Sequence, residues 1–104
     1  MRVLAEPTAV SFTVLEEKFV GRTLHEGQLT AVSELEASLE SEFDVVPLSN
    51  LWISVPAVAE HPAGEIYAKV MAAATPTSGA RVRFTSVTPE LKAWLLEIRK
   101  TVTT

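Results

Sequence analysis

The sequence predicts an α+β fold: a two-layer sandwich in which a mostly antiparallel sheet of four to five strands carries two helices, in the order β-β-α-β-β-β-α. Three observations predict it. Apolar and polar residues alternate over 9–15, 51–55 and 80–87, the period-two signature of half-buried strands. Leu29, Val32, Leu35, Leu39 and Phe43 recur at spacings of three, three, four and four, the stripe of an amphipathic helix. Thr88-Pro89-Glu90 combines an N-cap, a proline at the first helical position and an acid in the first turn.

In chain order, Val10, Phe12 and Val14 share one side of the first strand and Ser11 and Thr13 the other. Pro7 sets this strand apart from a shorter apolar stretch, Arg2 to Ala5, suited to an edge strand. After Glu16-Glu17-Lys18, the residues Phe19 to Arg22 fit either the return arm of a hairpin or the run-in to a helix. The first long helix starts near 24, from the Thr23/Glu26 capping-box pattern, or near 28, past Gly27. Its C-terminal Glu40, Glu42 and Asp44 oppose the helix dipole, so a basic neighbour from the last third of the chain is expected. Residues 45–50 read as a loop around Pro47. Leu51, Ile53 and Val55 form one face of the next strand, with Trp52 and Ser54 on the other. Residues 65–74 read as a strand because 75–79 is a turn cluster and 80–87 alternates, making an antiparallel hairpin. Leu91, Trp94, Leu95 and Ile98 form the stripe of the last helix. The expected core joins Leu35, Leu39, Leu95 and Ile98 to Val10, Phe12, Ile53, Val82 and Phe84.

A chain of 104 residues, 47% hydrophobic and 21% charged, makes one domain, 1–104. It has no cysteine, which excludes disulfides, zinc-thiolate sites and thiol nucleophiles. It has no apolar run near the roughly 20 residues that span a bilayer and no signal-peptide pattern at its start, so the expectation is a soluble, cytoplasmic protein with no membrane partner. The net charge of −4 is segregated: residues 1–22 sum to zero, 23–68 to −8 with no Lys or Arg, and 69–104 to +4. Opposite potentials on one chain attract a second copy or steer a charged partner.

Little of the sequence points to catalysis. Glycines at 21, 27, 64 and 79 compose no phosphate-cradling loop. His25-Glu26-Gly27-Gln28-Leu29 opens like a zinc-protease motif but has leucine where the second ligand belongs. No GxSxG elbow exists for a nucleophilic serine, and His61, between Glu60 and Pro62, reads as an exposed loop residue. The acidic side chains of the first helix read as a solvated face. The expectation is therefore no catalytic residue, no metal ligand and no cofactor. Tyr67, Lys69, Arg81 and Arg83 share the outward face of the last hairpin, where bases could stack and phosphates bind. A pI near 5.1 and the single aromatic on that face argue against nucleic acid; cross-strand pairs such as Glu65 with an arginine are the expected use of those charges.

The tail Gly79-Ala80-Arg81-Val82-Arg83-Phe84-Thr85-Ser86-Val87-Thr88-Pro89-Glu90-Leu91 resembles the closing strand and helix start of PilZ domains, the cyclic-dinucleotide receptors. Those domains hold ligand through an RxxxR pair and a following [DN]xSxxG. Here Lys18-Phe19-Val20-Gly21-Arg22 keeps one arginine, and around Ser49 the acid and glycine positions are Pro47 and Trp52. The predicted long helix is a further departure.

If one sheet face packs on the helices, the other offers Trp52 and Met71, or the residues of the opposite face, to solvent, and small domains cover such a face with a second copy. The expected function is a small non-enzymatic interaction module that forms a homo-oligomer or docks on a protein partner, with Trp52, Tyr67, Lys69, Arg81 and Arg83 as its surface. The alternative is a small-ligand-binding domain, a degenerate PilZ-like nucleotide receptor, using the Trp52/Tyr67 region.

Overall fold

The computed structural model describes residues 2–15, 24–57, 62–75 and 79–100. Alternation decides most of their structure. Strands β1 (Arg2–Leu15), β2 (His25–Val32), β3 (Glu36–Ser41), β4 (Asn50–Val55), β5 (Gly64–Ala72) and β6 (Ala80–Val87) precede a single helix, α1 (Pro89–Lys100). Every pairing is antiparallel, and the order β1-β2-β3-β6-β5-β4 closes on itself where Phe12 of β1 meets Ile53 of β4. The architecture is a closed six-stranded barrel with one short helix, not a two-layer sandwich with two helices on a four- to five-stranded sheet.

The correction lies in residues 25–43. The apolar stripe taken for a helix belongs to the β2–β3 hairpin, and its helical spacing has two local causes. Leu29 lies opposite Leu39 but Ala31 lies opposite Ser38, so β2 carries Thr30 as an extra residue, a bulge that moves the next inward side chain from 31 to Val32. The Ser33–Glu36 turn then supplies Leu35. Ser33 donates its N–H to the Glu36 carbonyl at 2.7 Å, and its hydroxyl oxygen accepts from the Leu35 and Glu36 amides at 3.2 and 2.9 Å. A serine hydroxyl that satisfies two turn amides favours a reversal over a helix interior. Leu35, expected in the core, is 57% exposed, whereas Leu29, Val32, Ala37 and Leu39 are buried.

Elsewhere alternation is borne out. Val10 and Phe12 of β1, Leu51, Ile53 and Val55 of β4, Ile66, Ala68 and Val70 of β5, and Ala80, Val82 and Phe84 of β6 point into the barrel. The Arg2–Ala5 stretch is part of β1 rather than a separate edge strand. The register against β2 slips between Val3 and Thr8, around Pro7, which has no N–H to donate. At the far end of the chain Thr88 starts α1, accepting the Lys92 N–H at 3.0 Å and donating its own N–H to Glu65 at 3.1 Å. Leu91 and Leu95 are buried in the barrel core. A Cβ on Gly64 would lie 2.5 Å from Leu91 Cγ, so glycine here is what lets the helix approach. Helix α1 is too short and too polar to cross a membrane, and no other helix occurs among the described residues.

Four expectations fall outside the described residues, wholly or in part: the hairpin arm or helix run-in at 19–22, the Thr23 cap, the loop placement of His61 and the turn cluster at 75–79, of which 76–78 are not described. The side chain of Ile98 is likewise not described.

Candidate functional site: the outer face of the barrel

A closed barrel has no spare sheet face, only an inside and an outside. Inside, the large aliphatic and aromatic side chains fill the space. Residues of opposite parity therefore point outward, and in-register pairing decides which of them meet.

Trp52 of β4 is the partner of Tyr67 of β5, and Tyr67 in turn of Ser86 of β6. Two residues further along β5 and three along β6, past a register slip after Tyr67, Lys69 pairs with Arg83, and Arg83 pairs with Glu36 of β3. Arg81 lies opposite Ser38 and reaches diagonally to Glu36, Nε to Oε2 at 3.4 Å. The five residues expected to form a surface thus occupy one continuous outer patch across β4, β5 and β6. Tyr67 is 44% exposed, Arg81 and Arg83 are exposed, and Trp52 and Lys69 are half-buried. The expected arginine partner was Glu65, yet Glu65 lies opposite Ser54 and beside Thr88; Glu36, from the strand mistaken for a helix, is the carboxylate that Arg81 meets. The basic neighbour expected beside Glu40, Glu42 and Asp44 is given instead to Glu36, at the opposite end of β3. Its cause is strand adjacency rather than a helix dipole.

Sequence reasoning missed a second part of the surface. In the turn Val46-Pro47-Leu48-Ser49, the Ser49 N–H donates to the Val46 carbonyl at 3.1 Å, and Leu48 has φ of 72°. A positive φ at this third turn position is the place of glycine. Leu48 is 67% exposed, and its N–H donates to the Val70 carbonyl at 2.7 Å, which tethers the turn to β5 beside exposed Met71. No sequence signal other than the adjacent proline could have found it.

Opposite in sign lies an acidic area. Glu26 and Gln28 of β2, with Glu40 and Glu42 at the end of β3, border an open groove of about 520 Å³; Gln28 donates to Glu40 at 3.2 Å. A second hollow, about 360 Å³, is a shallow opening beside Ser54, Glu65 and Thr88.

His25 begins β2, so the zinc-protease-like string is extended rather than helical. In a strand the two ligand positions would stand about 13 Å apart. The imidazole stacks on Phe43 at 3.8 Å and 19°, with the Phe12 ring centroid 5.5 Å away, so it sits among aromatic rings. Among the described residues no group of three His, Asp or Glu is placed to hold a metal ion. The chain matches no family model, no curated protein and no solved structure.

Proposed function

We propose that the protein is a small non-enzymatic interaction module whose docking surface is the outer barrel face carrying Trp52, Tyr67, Lys69, Arg81 and Arg83. One observation carries the reading: pairing in register gathers aromatic and basic side chains from three strands into one patch while the interior is filled. Lys69 and Arg83 face each other as like charges, an arrangement that weakens a sheet and suits an anionic surface arriving from outside. Aromatic and arginine side chains together are the composition of interface anchors.

The ligand-binding alternative draws on the PilZ resemblance, and one of its departures is gone, since residues 25–43 are a hairpin and not a long helix. The motif departures stay. Neither serine in a described strand connection has an acid two before and a glycine three after: Ser33 has Ala31 and Glu36, and Ser49 has Pro47 and Trp52.

Two titrations of the isotopically labelled chain, followed by amide chemical shifts, separate the readings. Unlabelled chain is expected to shift outer-face amides of β4, β5 and β6, and a cyclic dinucleotide to shift none. Saturable dinucleotide shifts at Trp52 and Tyr67 would replace the docking reading with the ligand-binding one.

A further inference from the structure

Beyond β3 the chain exposes Glu42, Phe43, Asp44, Val46 and Leu48 in succession, so acids and large apolar side chains alternate on one connection. The face of β5 and β6 offers the reverse, with Lys69, Arg81 and Arg83 among Tyr67 and Met71. The two areas are neighbours because β3 is hydrogen-bonded to β6: Glu36 faces Arg83, Ser38 faces Arg81, and the strand runs on to Glu40, about 13 Å from the first of these rows.

A surface on which an acidic and apolar area adjoins a basic and apolar one is complementary to its own two-fold image. An axis lying in the plane of contact, between the two areas, sets each over the opposite area of the other copy. Resting on the reading of the outer face as a docking surface, we infer that its occupant is a second copy of this chain. In this isologous dimer residues 40–46 of each copy cover Lys69, Arg83 and Met71 of the other. The charge split of −8 over 23–68 and +4 over 69–104 is then a pairing code rather than an accident of solvation. A closed barrel presents no free edge, so the contact is side chain against side chain and not strand addition. Leu48 belongs to the same surface. Its left-handed backbone favours glycine, and the leucine it keeps is exposed on a turn tethered to Val70, the residue before exposed Met71.

The patch also sets the strength. Four strands about 4.8 Å apart and about 20 Å long give roughly 400 Å² per copy, about half of what each partner of a stable complex buries. The dimer is therefore weak, populated from micromolar to millimolar concentration, and sensitive to salt.

The test is sedimentation equilibrium across that range in low and high salt, with circular dichroism to establish that each variant folds. At low salt the mass is expected to rise from 11.3 kDa toward twice that value, and at high salt to fall back. Glu40→Lys and Arg83→Glu should each weaken association by about tenfold, and the double variant should restore it to within about threefold. Leu48→Gly should weaken it while raising the melting temperature. Association that ignores both charge variants but disappears in Trp52→Ser/Tyr67→Ser overturns the two-fold arrangement and leaves the docking face standing. A chain that stays monomeric at millimolar concentration in low salt overturns the second copy as occupant and leaves the face to a different protein. The docking reading itself falls only to the dinucleotide titration.

Discussion

The two mouths of the barrel are closed by different means. Where β4 ends and β5 begins, α1 crosses the opening and buries Leu91 and Leu95, with Gly64 as the point of close approach. At the opposite mouth, where β1 and β3 end, rings close the described part of the opening. Phe43 stacks on His25, its centroid 6.2 Å from that of Phe12. The helical closure buries Leu91 and Leu95 completely or nearly so. The ring closure leaves Phe43 40% exposed and is followed, after Asp44 and buried Val45, by exposed Val46 and Leu48. Buried apolar side chains thus close one end while exposed ones border the other, so that of residues 42–48 only Val45 is tied to the core and the exposed ones can vary in chemistry without touching the helical cap.

Four measurements can break that division or sharpen it, all read as unfolding free energy by chemical denaturation. Leu91→Ala should cost about 2–5 kcal/mol, because it empties a fully buried site between helix and barrel; a loss below about 1 kcal/mol would mean that the cap is not a source of stability. Gly64→Ala should cost about 1–3 kcal/mol, since the new methyl meets Thr88 and Leu91. At the other mouth Leu48→Gly should gain about 0.5–1 kcal/mol, the relief of a left-handed leucine less the greater chain freedom of unfolded glycine; a loss of stability would show that the leucine side chain supports the fold. Leu35→Ala should stay within about 0.5 kcal/mol while Leu39→Ala costs about 2–5 kcal/mol, a contrast that exists only if 25–43 is a hairpin. Equal effects would return the segment to a single helical stripe.

Legibility in the sequence follows the same geography. From Asn50 onward β4 and β6 alternate, the turn cluster and strand that follow decide β5, and the helix carries its own start signal, so β4, β5, β6 and α1 lie where the pattern puts them. Residues 25–43 misled because one extra residue at Thr30 and a two-residue turn reproduce helical spacing in what is a β-hairpin. Glu34 and Glu36 sit where helix formers would, and the serine that makes the turn looks like any surface serine. The patch was half visible. Alternation puts Trp52, Tyr67, Lys69 and Arg83 on the outward side of their strands, but the meeting of Arg81 with Glu36 depends on β3 lying beside β6, a long-range pairing that no local pattern encodes. The left-handed Leu48 was not visible, because side-chain identity there argues against the backbone it adopts.

The same β3–β6 pairing has a consequence during synthesis. Glu36 finds its register partner only at Arg83, and β1 meets β4 some forty residues away, so a chain released from the N-terminus carries β3 as an open edge until β6 has been made. Until then the β2–β3 hairpin is a sticky ribbon with Leu29, Val32, Ala37 and Leu39 uncovered, and its dense acids, Glu34, Glu36, Glu40 and Glu42, are the charges that keep such ribbons from stacking on one another. A truncated product ending before Ala80 would keep that edge permanently, which makes the last strand the gatekeeper of solubility for everything that precedes it.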